Sequence, residues 1–327
     1  MATRNEKRQK ILEVRLRRLK AVGKTRVEDA TQNLKRVGGP KPLQVRTEFV
    51  HRPRDPSAPV YSDRRLPPPK ERPPATGLLS PRGSALRLEL ILLGVAQHQR
   101  AGAEFKNEFP LMPGYKQDHS LAWVNLITTA GQAAGSGNFK ATPLSKKSRS
   151  LNGALDVLED AGFVFYPSSA QVRGRREGFL LMDERGSALA DLPTYRVPRS
   201  GESTVTLPSG FLHNGWVHVL EDSEIALLLM VACGIGTLPD PEGWIAIPAE
   251  ERLSNYGLGR DAFSAAHPIL REMGLLEVQR VGRHSDGRAV DFEVEGPSLH
   301  RLRLVSHGFE ENSYDVACEA LETLKTL

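Results

Sequence analysis

Cysteine is almost missing from this chain, with only Cys233 and Cys318 in 327 residues. Two thiols alone can build neither a zinc site nor a disulfide framework, so a reducing, cytoplasmic setting is expected. Aromatic residues make up 6%, too few for stacking on single-stranded bases to be an obvious theme. The longest apolar run, residues 225–235, is shorter than a bilayer span and reads as a buried helix. The first residues are charged and no apolar signal core follows them. A phosphate-binding Gly-x-x-x-x-Gly-Lys-Ser/Thr loop is missing, and Gly234-Ile235-Gly236 lacks the third glycine of a dinucleotide site. The nine histidines show no ligand spacing, and Ser209-Gly210 does not form a nucleophile elbow. Neither enzymatic chemistry nor a metal or cofactor is expected.

Charge is present but unevenly placed. The net charge is +5. Residues 1–79 hold 20 Lys and Arg against 8 Asp and Glu, a balance of +12, which leaves −7 for the remainder. Nucleic-acid contact by the later part of the chain must therefore come from local patches. Arg outnumbers Lys by 31 to 13, which points to GC-rich coding before it points to chemistry.

Residues 4–20 fit a basic amphipathic helix with an apolar strip of Ile11, Leu12, Leu16 and Leu19. Its role would be a DNA-contacting arm or a docking helix for a protein partner; the competing reading is a solvated segment. The prolines of residues 38–83 (Pro67-Pro68-Pro69, Pro73-Pro74) read as an extended linker. Residues 1–83 are thus expected to be a basic, mostly disordered arm. Residues 84–194 form a first folded unit, 195–210 a connector, 211–297 a second unit and 298–327 a helical tail. The tail carries Val316, Ala317, Ala320, Leu321 and Leu324 on one side, a face for packing on the second unit or for self-association.

Two stretches carry the functional signal. In residues 260–294, Phe263, Ala266, Leu270 and Met273 make a helical stripe stopped by Gly274. A strand follows through Leu276, Val278 and Val281. A polar turn, Gly282-Arg283-His284-Ser285-Asp286-Gly287, leads to a second strand at Val290, Phe292 and Val294. Leu151, Ala154, Leu158 and Gly162 match the first stripe at a constant offset of 112 residues. They too lead into a strand, at Phe163 and Phe165, and into a loop with Arg173, Arg175 and Arg176, before Phe179–Met182 returns. A tandem repeat of one module is the better explanation. Upstream of the second copy, a helix to Cys233, a short strand at Trp244, Ile245 and Ile247, and a helix from Ala249 to Tyr256 complete a helix, strand, helix, helix, hairpin order. Upstream of the first, helices are expected from Ser84 to Arg100 and from Ser120 to Ala130, broken at Gly135-Ser136-Gly137.

This order resembles the winged helix-turn-helix, and two such modules in one chain resemble the plasmid replication initiators of bacteria over about residues 84–294. The resemblance implies an α+β fold of two tandem winged-helix domains that bind double-stranded DNA at repeated origin sites. Groove reading would fall on Lys146, Lys147, Arg149 and Asn152 in the first module and on Arg260, Ser264 and His267 in the second. The wings would add Arg173, Arg175 and Arg176, then Arg283, His284 and Arg288. Asp156 would repel phosphate, and Pro268 would bend the second reading helix. A transcriptional regulator is the rival within DNA binding. A protein-interaction scaffold is the rival outside it.

Overall fold

The computed structural model describes residues 4–55, 57, 61–62, 65–79, 84–114, 121–129, 142–169, 171–186, 191–237, 240–279 and 299–326. The fold is α+β: helices around three two-stranded antiparallel sheets among the described residues.

The N-terminal segment departs most from expectation. Helix α1 (Arg4–Val22) buries Leu12, Leu16 and Leu19, leaves Ile11 60% exposed, and lies along the C-terminal helix α12 (Ser313–Thr326). The short leucine strip has a partner some 300 residues away in the chain, and the disorder expected of the arm does not hold over residues 4–55. Ion pairs fix the contact: Lys20 to Glu322 and, from helix α2 (Lys24–Val37), Lys24 to Asp315, both 2.6 Å. The apolar face of α12, expected to pack on the second unit or to self-associate, is covered within the chain by α1, α2, α8 (Trp216–Val219) and α11 (Arg260–Glu272).

Strand β1 (Leu43–Arg46) follows. It pairs antiparallel with β4 (Thr204–Leu207), Leu43 opposite Leu207 and Arg46 opposite Thr204. The expected connector is therefore half of a sheet. Arg46 is buried. It donates to Glu184 Oε2 and Glu202 Oε2, both at 2.7 Å, and to the Arg196 carbonyl at 3.0 Å. Short helices α3 (Thr47–Val50) and α4 (Pro74–Gly77) bury Phe49, Val50, Pro74, Ala75 and Thr76, so part of the proline-rich stretch is also core.

In the first unit, helix α5 (Ala85–Ala96) is buried all round except at Arg87. It stops short of Arg100, and Ser84 makes no side-chain cap. The helix expected over residues 120–130 is one 3₁₀ turn, Trp123–Leu126. Its cause is local: Asn125 Oδ1 accepts the Ala122 N–H at 3.2 Å and closes the chain into a tight loop. The Gly135–Gly137 break lies outside the described residues. Helix α6 (Pro143–Asp160) starts at Thr142, whose Oγ1 accepts the Ser145 N–H at 3.1 Å, with Pro143 in the first turn. The hairpin of β2 (Val164–Phe165) and β3 (Leu180–Leu181) follows.

In the second unit, α7 (Gly210–His213) and α8 bury Trp216 with His213 and His218; burial pushes the His218 imidazole down to about 3. Helix α9 (Asp222–Cys233) begins where Glu224 Oε2 accepts the Glu221 N–H at 2.8 Å. Helix α10 (Ala249–Ser254) is shorter than expected, with Pro248 as its cap. Helix α11 runs unbroken through Pro268. Strand β5 (Leu276–Gln279) pairs with β6 (Arg301–Leu304), and Ile245 bridges to Leu302 on the far side of β6. The second strand expected at residues 290–294 lies outside the described residues, and the partner of β5 that the structure shows is β6.

The two helix ends are built alike. Gly162 and Gly274 both sit at positive φ, 81° and 71°. The Gly162 N–H donates to Glu159 O and the Phe163 N–H to Leu158 O; Gly274 to Arg271 O and Leu275 to Leu270 O repeat this at the same offset of 112 residues. Both ends are Schellman caps, in which the left-handed residue lets its own N–H and the next one close the last turn. The buried apolar side chains of both units form one continuous core. Across it, Arg87 of α5 pairs with Asp222 of α9 at 3.1 Å.

Candidate nucleic-acid interface

The two helices expected to read DNA differ in what they expose. On α6, Arg149 is exposed, Lys146 and Asn152 are half-buried, and Leu151, Ala154, Leu155 and Leu158 are buried. Lys147 turns toward α2. Burial, with Arg26 close by, pulls its amine below the usual range, while Asp29 acts in the other direction. It is a less accessible cation than its sequence position suggests.

Beyond Arg149 the character of α6 changes. Asp156 and Glu159 carry the first hairpin's arginines: Arg176 grips Asp156 through two bonds of 2.8 and 2.7 Å, and Arg175 grips Glu159 through two of 3.2 and 3.1 Å. The Arg175 guanidinium also lies 4.7 Å from the Tyr166 ring centre. The hydrogen bonds from Arg176 hold the Asp156 carboxyl below its ordinary range despite some desolvation. Sequence reading grouped Arg173, Arg175 and Arg176 as one free patch. Of the three, Arg173 is the exposed one, and the other two tie the loop to α6.

In the second unit, Arg260, Asp261, Ser264 and Ala265 are exposed at the start of α11, while Ala266, Ile269 and Leu270 face the core. His267 is half-buried. Its Nδ1 lies 2.9 Å from the Phe263 carbonyl and its ring leans on Phe263, which makes it a local packing group. Phe263 is only partly buried, under the guanidinium of buried Arg252 at 5.3 Å. Arg252 also donates to the Leu258 carbonyl, and the Leu258 N–H returns to the Arg252 carbonyl at 3.1 Å. The Tyr256 hydroxyl donates to Ile235 O at 2.8 Å. Together these bonds set the turn between α10 and α11 against the end of α9. Arg283, His284 and Arg288, as well as Arg280, lie outside the described residues.

The residues that sequence reading missed come from the proline-rich segment. The Arg52 N–H donates to the Asn255 carbonyl and the Arg54 N–H to Asn255 Oδ1, both at 2.9 Å. Thr76 Oγ1 donates to Tyr256 O at 2.7 Å, and the His51 ring nitrogen lies 2.9 Å from Glu251 Oε1. This chain segment lies directly on the α10–α11 turn. Its proline content read as an extended linker and gave no signal of this location.

No family model, curated protein or solved structure matches the chain. Among the described residues, no helix is long and apolar enough to cross a membrane.

Proposed function

We propose that this protein is a sequence-specific binder of double-stranded DNA that works through two winged-helix modules. The observation that carries the reading is the second unit's arrangement. Helices α9, α10 and α11 precede an antiparallel set of Ile245, β6 and β5, and α11 buries one stripe while presenting the N-terminal half of the other. A helix so placed can enter a major groove with its first turns. The matching cap and hairpin after α6 support a second module, with Arg149 and Lys146 at its reading end.

Within DNA binding, the two copies on one core favour a replication-initiator role over a regulator built on a single module. A chain with two modules can occupy directly repeated sites as a monomer, whereas a dimerising regulator protects a palindrome. Footprinting of the intact chain on plasmid and genomic DNA, with binding measured over a range of salt, tests this. The expected outcome is protection of repeated sites and an affinity that falls steeply with salt as counterions are released. Arg149→Ala should weaken cognate binding by roughly 1–3 kcal/mol and relax preference at one position. Salt-independent binding, or none, overturns the reading.

A further inference from the structure

The charge asymmetry of the chain has a structural address. The basic segment that begins at Arg52 rests on the turn just before α11, and the second unit is short of cations there. The start of α11 offers Arg260 beside Asp261, and α10 offers Glu250 and Glu251. Among the described residues, 52–72 bring Arg52, Arg54, Arg65, Lys70 and Arg72 to this place, against Asp55 and Glu71. These two acids are engaged within the segment, Asp55 by Ser57 and Glu71 by the Tyr61 hydroxyl.

The segment is held in shape as well as in place. Arg72 Nε donates to Pro67 O at 2.7 Å and Arg52 to Lys70 O at 3.2 Å, while Asn255 and Tyr256 take the backbone and Thr76 contacts described above. Gly257, at φ +66°, leaves room for it. A methyl group there would meet Thr76 Oγ1 at 2.6 Å and Arg72 Cβ at 2.9 Å. Leu66 reaches Gly259, the cap of α11. Arg65 and Lys70 are exposed on this strap.

We propose that the strap is the phosphate-binding flank of the second module: Arg65 and Lys70 contact the DNA backbone beside the groove that α11 enters. The inference rests on the DNA-binding reading above. Phosphate contacts orient a reading helix without carrying sequence information, and a strap anchored at the cap of that helix is placed to do so. It brings positive charge to a unit whose own balance is negative.

The test is Arg65→Gln with Lys70→Gln in the full-length chain, titrated against a mixed-sequence duplex and against any footprinted site over a range of salt. Both side chains are exposed, so thermal unfolding should match wild type. Each lost phosphate contact lowers the salt slope by about 0.9, so the double variant should lose up to about 1.8 in slope. Its affinity should fall about equally on both DNAs, leaving sequence preference intact. As a second readout, a cleavage reagent tethered at Ser62→Cys should cut the backbone at the edge of the α11 footprint. If wild type binds with a steep salt slope and the double variant keeps that slope, the strap assignment is wrong and the DNA reading stands. If wild type itself shows no salt-sensitive binding, both fall. Cuts remote from the footprint also overturn the assignment.

Discussion

Replacing Arg15 tests whether the N-terminal helix belongs to the fold. Arg15 is 5% exposed and Glu224 1%; Arg15 Nη2 lies 3.0 Å from Glu224 Oε2 and also donates to the Val219 carbonyl. Burial raises the Glu224 carboxyl, and Arg15 pulls it back down. Arg15→Met keeps much of the side-chain volume but leaves a buried carboxylate with its charge uncompensated. Breaking one side of a buried pair costs about 3–5 kcal/mol. That is a large share of the roughly 5–15 kcal/mol that keeps a protein folded. The pH dependence carries the sign. Without Arg15, the folded-state carboxyl is raised further above its unfolded value. The variant's deficit is then full at neutral pH and shrinks as pH falls through the folded value toward the unfolded one. Urea unfolding followed by circular dichroism at several pH values between 5 and 8 measures it. Arg15→Met with Glu224→Leu should recover most of the loss, because a buried pair exchanged for apolar groups is often neutral or stabilising. A deficit under about 1 kcal/mol, or one that does not shrink with acid, would refute the reasoning.

Glu89 is fully buried in α5 with neither carboxyl oxygen hydrogen-bonded, and burial, with Glu184 nearby, holds it well above the usual carboxylate range. Glu89→Leu should therefore stabilise by about 1–3 kcal/mol in urea unfolding. A raised acid costs stability as pH climbs through its folded value, so the gain should be larger at high pH than at low; a destabilised variant contradicts this. At the first hairpin, Asp156→Asn with Glu159→Gln should release Arg175 and Arg176 and, on the proposed function, tighten DNA binding. Exposed ion pairs are worth up to about 1 kcal/mol each, so the gain should stay below about 2 kcal/mol. It should vanish when both arginines are also made Gln; a gain that survives their removal reflects only the loss of negative charge.

What the sequence made legible was short-range. The stripes and glycine stops of α6 and α11 lie within a few residues of each other, and a helix with one apolar face states its own orientation. The start of α9 was within reach for the same reason, since Glu221 and Glu224 cap it locally. The unread parts depend on distant partners. Leu12, Leu16 and Leu19 look like a frayed helix until α12 is placed beside them, and Arg15 finds Glu224 across 209 residues. The 3₁₀ turn at Trp123 carries apolar residues at helical spacing but buries Trp123, Val124 and Leu126 together, which no single helical face can do in a surface helix. The arginine clamp was within reach. Asp156 and Glu159 are three apart on one face of α6, and acids so placed attract a nearby basic loop as readily as they repel phosphate.

These long-range ties make the N-terminal quarter the joint of the molecule. Helix α1 holds the start of α9 through Arg15, and β1 holds the connector through β4 and the base of the first hairpin through Glu184. The strap then holds the turn before α11. Each contact joins a charged or hydrogen-bonding group of residues 1–79 to a different part of the two units. Such a joint fixes the spacing of α6 and α11, since neither unit can turn about the connector without breaking the β1–β4 ladder or the buried Arg46 pairs. On the proposed DNA-binding reading, two reading helices at fixed separation would select DNA by the distance between half-sites as well as by sequence. A flexible linker would have allowed many spacings at lower specificity. The proline-rich, basic composition that looks like a tether is, in the folded chain, what removes that freedom.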